Sequence, residues 1–345
     1  MQNKQNPLVS VLILSYNEKE SFEKCLQSIK LQNYKNIELI IVDNASNFQE
    51  KLYLIAQKKF DKIIFIKNKY NEGFGKALNK GISKSKGKYI LFLNNDVELF
   101  EDTVQNLVKH LENNPSTTIA YPIELTTKES RKKNKNFYEG IVFELNGFRF
   151  YSRTKDSNYF EPNCACFISR KNNLLFDEDY YLFGEENQIG FKQLIRGRSN
   201  HLVKNAFFIH ASKKSVEKLS QFNISRNVEK NSLINFFVNW EIKTLLILTP
   251  ILIFDLVYSY LYLLLTLKLS YLLGKFIGTI DFILFLPKII EKRTKIQSIR
   301  LISDKKILEI FTNSEYILSN KKNNSVRDKI FLIYKKIIRR IINLV

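Results

Sequence analysis

The first hundred residues alternate between short apolar runs and longer stretches that are apolar on one face only. Residues 9–14, 37–42, 63–66 and 89–93 are aliphatic and aromatic almost throughout. They lack the every-second-residue polarity of a half-exposed strand, and so predict strands buried on both faces of a parallel sheet. Helical spacing predicts helices over 21–31, over 50–58, and from the 71–79 stretch to near Gly87. Strand and helix in alternation give an α/β fold, a sheet wound by right-handed crossovers. Beyond it the pattern predicts a helix over 101–112, a basic loop over 128–136 and a strand within 160–168. An amphipathic helix then ends near Ile195, and a last strand covers 202–209.

The predicted strands end in polar clusters of one kind: Ser15-Tyr16-Asn17-Glu18, Asp43-Asn44-Ala45-Ser46 and Asn94-Asn95-Asp96. Taken singly, each reads as an ordinary turn, because Asn and Asp are good turn formers. Placed at the same edge of one parallel sheet they point to a ligand, since open α/β sheets bind ligands at the carboxyl ends of their strands. Asp43 offers a carboxylate for the base or ribose of a nucleotide. Asp96, carried on a rigid strand, suits a hard divalent cation that would in turn hold a diphosphate.

Gly73-Phe74-Gly75 opens a helix after the third strand, but Leu78 stands where a dinucleotide fingerprint needs its third small residue. The glycines are instead expected to let the backbone approach a ligand closely, with Asn79 on the first helical turn. Glu185 and Glu186 begin a helix, where the macrodipole alone would favour them; in a cleft, such a carboxylate can also take a proton from an attacking hydroxyl. His210 ends the last predicted strand, as a surface histidine or as a ligand.

The pattern changes over residues 245–267, which are apolar enough to form a helix of about 35 Å, long enough for a bilayer core. Asp255, Ser259, Tyr262 and Thr266 share one face of it, however, and the next apolar stretch, 269–286, carries Lys275 and Asp281. A carboxylate at mid-bilayer costs roughly 2.5–3.5 kcal/mol on insertion scales, so neither stretch reads as a clean span. Basic residues follow both: Lys288, Lys292, Arg293, Lys295 and Arg300, then Lys335, Lys336, Arg339 and Arg340. With 54 Lys+Arg against 34 Asp+Glu the formal net charge is +20, which calls for an anionic partner: nucleic acid, acidic lipid or a phosphorylated substrate. The polar first residues contain no apolar leader core, and Cys25, Cys164 and Cys166 lack zinc-type spacing; a reducing, cytoplasmic setting is the expectation.

In their order along the chain these motifs resemble glycosyltransferase family 2, with its GT-A fold, and in particular its rhamnosyltransferase-like members. The resemblance rests on VLILSYNE at 11–18, VDNAS at 42–46, Asn71-Glu72-Gly73-Phe74-Gly75 through Asn79, LNNDV at 93–97 and the acidic pair Glu185-Glu186. It implies a nucleotide-diphosphate sugar bound by Ser15, Tyr16, Asn17, Glu18, Asp43, Asn71, Gly73, Gly75, Asn79, Asn94 and Asn95. It further implies Mg²⁺ or Mn²⁺ on Asp96 with His210, and catalysis by Glu186 beside Glu185. The reaction would be an inverting hexosyl transfer to a saccharide or lipid-linked saccharide, of the kind used in polysaccharide and cell-envelope biosynthesis. Arg226-Asn227 also falls where similar proteins carry an Arg-Asn pair. The family often has an acid where this chain has Gln188.

The expected organisation is a catalytic domain over 1–240, an apolar helical segment for membrane association over 241–290 and a basic tail over 291–345. The protein would sit on the cytoplasmic face of the cell membrane, peripherally or through a helical hairpin, against an anionic surface. A nucleic-acid-binding protein or a non-catalytic scaffold is the alternative. Because many of the cations flank apolar helices, no nucleic-acid partner is expected.

Overall fold

A computed structural model describes residues 6–127, 138–145, 148–154, 164–173, 175–211, 219–313 and 340. Its contacts gather into two units: Met1–Lys135, Pro162–Ile189 and Ser199–Leu219 form the first, and Asn136–Glu161, Gly190–Arg198 and Ser220–Val345 the second.

In the first unit the four apolar runs are strands: β1 (Val9–Ser15), β2 (Ile37–Asp43), β3 (Ile63–Lys67) and β4 (Tyr89–Asn94), parallel to one another in the order β3-β2-β1-β4. They alternate with α1 (Glu20–Lys30), α2 (Gln49–Gln57) and α3 (Phe74–Lys84). The sheet continues with β5 (Val97–Leu99), β6 (Thr117–Leu125), β9 (Cys166–Arg170) and β10 (Ser199–His210), to eight strands in the order β3-β2-β1-β4-β9-β6-β10-β5. β9 runs antiparallel between β4 and β6, and β5 antiparallel to β10, so the parallel half predicted from sequence extends into a mixed one.

One face of the sheet, through Val11, Ile13, Leu39, Ile41, Leu91 and Leu93, packs on Phe22 and Leu26 of α1 and on Val104 and Leu107 of α4 (Thr103–Asn113). On the other face α3 lies directly on β1, because Gly81 has no side chain to strike Leu12. The basic stretch 128–136 lies outside the described residues.

The second unit holds a two-stranded antiparallel ribbon, β7 (Tyr138–Leu145) with β8 (Phe148–Thr154), and the later helices. These are α6 (Gln221–Asn239), α7 (Ile242–Leu265), α8 (Leu269–Leu284), α9 (Leu286–Ser298) and α10 (Asp304–Asn313). The first unit carries the opening of α5 (Glu185–Ile195) and the second its end.

Lys275 and Asp281, which count against a membrane span in the sequence, are both paired with α6: Lys275 with Glu229, and Asp281 with Arg226 through two bonds of 2.5 and 3.0 Å. Asp255 is buried too, at 7% exposure. The insertion cost counted from the sequence applies to an unpaired carboxylate, and here Asp281 and Lys275 have partners in α6. α7 is by length and composition a helix able to cross a membrane; α8 and α9 reach that length only as a pair bent by 69°.

α6 and α8 come into close backbone contact through Gly274 and Gly278; a Cβ added at Gly278 would lie 2.5 Å from the Arg226 carbonyl. In an isolated helix alanine is favoured over glycine by about 1 kcal/mol. Here Gly278→Ala should lower the Tm, because overpacking costs about 1–3 kcal/mol. A higher Tm in a thermal melt would mean that the two helices do not approach this closely.

Residues 291–300, expected as the start of a basic tail, close the end of α6. Arg293 Nη1 donates to the carbonyls of Phe237 and Trp240 at 2.6 Å each, and Gln297 Nε2 to those of Val238 and Asn239 at 2.9 and 3.0 Å. Arg300 donates to the Asn239 carbonyl and forms a 2.8 Å ion pair with Asp304. Carbonyls that every helix leaves open at its C-terminus are thereby filled by cationic and amide donors. Lys335, Lys336 and Arg339 lie outside the described residues.

Candidate active site

The register brings the strand ends level. Ser15 lies opposite Asp43, Asp43 opposite Lys67 and Leu14 opposite Asn94, so the polar clusters that follow β1, β2 and β4 share one edge. Hydrogen bonds tie them together. Asn17, left-handed at φ 50°, receives its place from two of these: its backbone N–H donates to Ser46 Oγ (2.8 Å), and its Oδ1 accepts from the Asn47 N–H (2.9 Å). Asn95 Nδ2 donates to Ser15 Oγ at 3.1 Å. Glu18 is buried and accepts from Ser21 Oγ at 3.3 Å, while Tyr16 stays exposed.

Asp43 is fully buried. Its Oδ1 accepts from the Ser46 N–H (2.8 Å) and Gln49 Nε2 (2.6 Å), and its Oδ2 has no hydrogen-bond partner among the described residues. A buried carboxylate oxygen without a donor is costly, by about 1–3 kcal/mol or more. It fits a ligand that brings an N–H or O–H.

The Asn71–Asn79 segment is held from two sides. Asn44 donates to Asn71 Oδ1 (2.8 Å) and the Gly73 carbonyl (3.2 Å), and accepts from Asn68 Nδ2 (2.9 Å) and the Glu72 N–H (3.0 Å). On the other side, the Phe74 N–H donates to the Tyr181 carbonyl at 2.9 Å. Gly73, at φ 83°, has that same carbonyl 2.6 Å from where a Cβ would stand, and Gly75 has Phe176 at 3.0 Å.

These glycines make close approaches to Tyr181 and Phe176. Asn79 faces the same segment. Its amide donates to the Phe176 carbonyl and Glu178 Oε1 and accepts from the Phe176 N–H, all at 3.0 Å, so it clamps the loop that precedes the acidic pair. Tyr181 stands beside Tyr16; burial first, and then that neighbour, raise its phenol above the ordinary value.

Asp96 is buried, and its Oδ1 lies 3.1 Å from Nε2 of His210. The pairing of β5 with β10 sets this contact, with His210 opposite Val97 and the Ala211 N–H donating to the Asp96 carbonyl at 2.8 Å. The other nitrogen of His210 lies 3.8 Å from Oε1 of Glu124 at the end of β6. Asp96 and His210 are thus brought together, with Glu124 near the other ring nitrogen. The sequence reading missed Glu124 because it missed β6, whose sign was the run TTIAYPIEL.

Cys25 Sγ–H donates to the Asn94 carbonyl at 3.7 Å. Burial, and then the charge of Asp96, push that thiol far up, which keeps it protonated. Among the described residues no group of three or more His, Cys, Asp or Glu forms a ready-made metal cage. The Asp96 carboxylate is nonetheless a donor suited to Mn²⁺ or Mg²⁺, and the His210 imidazole beside it is a nitrogen donor that Mn²⁺ takes more readily than Mg²⁺, the remaining positions being left for water and phosphate oxygens.

Glu185 and Glu186 open α5 directly after Phe183 and Gly184, which are both left-handed, at φ 69° and 88°. A positive φ at a phenylalanine is strained; here the turn re-aims the chain so that the helix starts on its acids. Glu185 is buried and Glu186 half-buried, while Gln188 is buried, its N–H donating to the Gly184 carbonyl at 3.0 Å. Arg226 is engaged with Asp281, and Asn227 donates to the Asn223 carbonyl at 2.9 Å. A cavity of about 550 Å³ in the first unit, bordered by Lys24, Gln27, Ser28 and residues 98–102, contains none of the predicted site residues.

Residues 10–174 match the sequence model of Glycosyl transferase family 2. An uncharacterized glycosyltransferase of Haemophilus influenzae is 24% identical over 246 residues, covering 65% of this chain and 75% of that protein. A UDP-Glc:alpha-D-GlcNAc-diphosphoundecaprenol beta-1,3-glucosyltransferase of Escherichia coli, WfaP, is 29% identical over 237 residues, covering 65% of this chain and 86% of that one. Among solved structures, GalNAc-T7 with UDP, GalNAc and Mn²⁺ superposes with a TM-score of 0.56 at 16% identity, over 70% of this chain and 49% of its own. The fold is accordingly α/β of the GT-A type, with apolar helices following it.

Proposed function

We propose that this protein is an inverting family 2 glycosyltransferase, which moves a hexose from a nucleotide-diphosphate donor to a saccharide or lipid-linked saccharide. The observation that carries this reading is the levelled strand edge. There a buried carboxylate oxygen of Asp43 lacks a donor among the described residues, and at the same edge a second buried carboxylate, Asp96, is held against His210. Asp43 receives the N–H or O–H of the nucleotide, at a strand edge kept in shape by Ser15, Asn17, Asn44 and Asn95. Asn71, Gly73, Gly75 and Asn79 serve as the frame that positions residues 176–181.

Asp96 and His210 would hold the metal; bound Mg²⁺ or Mn²⁺ supplies positive charge to a departing diphosphate. Glu186 takes the proton of the acceptor hydroxyl as its oxygen bonds to the anomeric carbon, and the bond from that carbon to the diphosphate oxygen breaks on the opposite face. One proton passes to the carboxylate and one nucleoside diphosphate leaves.

The WfaP likeness supports a lipid-linked acceptor, and α7 with its apolar neighbours supports attachment through residues 241–290 at the cytoplasmic face of the membrane. The test is a binding panel of nucleoside diphosphates and their sugars, with and without Mn²⁺. At least one nucleotide sugar should bind, and more tightly with the metal. Retention on DNA at moderate salt with no nucleotide-sugar binding would overturn the proposal.

A further inference from the structure

We propose that α7 and α8 lie flat along a lipid bilayer at its polar–apolar boundary, one side of each turned into the acyl chains, and that neither helix crosses. This rests on the membrane-attached reading above and gives that attachment a direction. Both helices are divided lengthwise. On α7, Leu245, Leu248, Leu252 and Asp255 are buried at three- and four-residue spacing, whereas Leu246, Ile253, Val257, Leu261 and Leu264, on the opposite side, are each more than half exposed. On α8, Gly274, Gly278 and Phe282 form the inner stripe; Leu269, Leu273, Phe276 and Ile283 form the outer one, again more than half exposed. The inner sides meet where Tyr260 and Thr279 share a hydrogen bond of 2.9 Å.

A lipid-facing side is common to helices that cross and helices that lie flat, and α6 separates the two cases. It accompanies α8 throughout, with Phe222 beside Gly274, Arg226 beside Gly278, and Phe237 against Phe282 at 5.2 Å between ring centres. Gly278 stands near the midpoint of α8. A crossing α8 would therefore carry Arg226 to mid-bilayer with its side chain 43% exposed, and the exposed Gln221 and Asn223 would follow within about a turn and a half. α8 is also short: its 16 residues reach about 24 Å, less than the roughly 30 Å of a hydrocarbon core. α7 is long enough, but its inner side buries Asp255 within the protein.

Phe254, Tyr258 and Tyr262 stack at successive turns along the border between the two sides of α7, at centroid spacings of 6.5 and 6.4 Å. Tyrosine rings favour the headgroup level. A flat α7 holds all three rings there, and an upright one would spread them over about 12 Å of depth.

Charge selects lipid over a second copy of this chain. Each copy carries a net charge of +20, so apposed copies repel, whereas an anionic bilayer attracts. Exposed lysines also stand beside the apolar surface: Lys243 in the first turn of α7, and Lys268 after its end, with Nζ 5.5 Å from the centre of the Tyr262 ring.

The test uses the full chain with vesicles of phosphatidylcholine mixed with phosphatidylglycerol. In a Cys164→Ser background, where Cys25 and Cys166 are buried, Leu246→Cys, Val257→Cys, Leu264→Cys or Ser259→Cys carries a fluorophore whose depth is read with nitroxide lipids. The three outer labels should share one depth, about 5–10 Å below the headgroups, and the label at residue 259 should escape quenching. Labels shallow at residues 246 and 264 and deepest at 257 would mark a crossing helix, since those 18 residues rise by about 27 Å, and would overturn the proposal.

Without labels, Val257→Glu/Leu273→Glu should keep its Tm and lose on the order of 10–100-fold in vesicle affinity. The control Leu31→Glu/Leu54→Glu, at exposed leucines of the first unit, should keep both. Equal losses in the two variants, or none in the first, would overturn the proposal. So would a parent that ignores vesicles and forms a dimer which Val257→Glu/Leu273→Glu dissociates. Nucleotide-sugar binding is measured on the same samples. If it is absent throughout, the transferase reading fails while the depth result stands; if depth or affinity goes the other way, the flat attachment fails alone.

Discussion

Asp96→Ala is expected to abolish the metal dependence of donor binding and to lower turnover on the order of 10²–10³-fold, the usual size of losing a group that steadies developing charge. The fold should tolerate the change, since the 3.1 Å contact to His210 and the Ala211 N–H bond to the residue 96 carbonyl are local, and the second needs no side chain. The measurement is a donor titration with and without Mn²⁺, followed by initial rates. Parental turnover in the variant would remove Asp96 from the metal site. His210→Ala should have a smaller effect of the same kind, because it leaves the carboxylate in place.

Glu186→Gln is expected to separate binding from chemistry. The amide keeps the shape of the side chain but cannot accept the acceptor's proton, so kcat should fall on the order of 10²–10⁴-fold while donor affinity holds. Loss of donor affinity instead, with kcat intact, would place Glu186 on the nucleotide side and leave the proton without this acceptor. The buried neighbour Glu185 makes an informative comparison, because Glu185→Gln should show mainly as a lower Tm.

The parallel half of the sheet was legible in the sequence for a physical reason. β1, β2 and β4 are buried on both faces, and burial on both faces leaves an uninterrupted apolar run. β5, with three residues, is too short to carry any pattern, and β6 places Pro122 inside its run, which argues against a central strand on composition alone. α6 hides its period differently. It buries Glu229, Asn231, Ser232, Asn235 and Asn239, Glu229 being met by Lys275 and Thr279 of α8, and polar residues on the buried face erase the contrast between core and solvent faces.

The site divides along the same line. Asp43, Asp96 and their loops follow from strand ends, which local pattern locates. Glu124, the Asn44 hub and the contact between Gly73 and Tyr181 join residues far apart in the chain, and only the fold brings these together. Asn79 lies in α3, in the second turn rather than the first, and its bonds are to protein atoms, since residue type does not specify what an amide will face.

Because Arg293, Gln297 and Arg300 finish the end of α6, the helices over 221–298 are closed from behind. A ribosome must deliver residue 300 before α6 acquires its final donors, so this helical body settles only after most of the protein has been synthesised. Shortening the gene ahead of that point would not trim a dispensable appendage; it would leave a helix unfinished on its newest side.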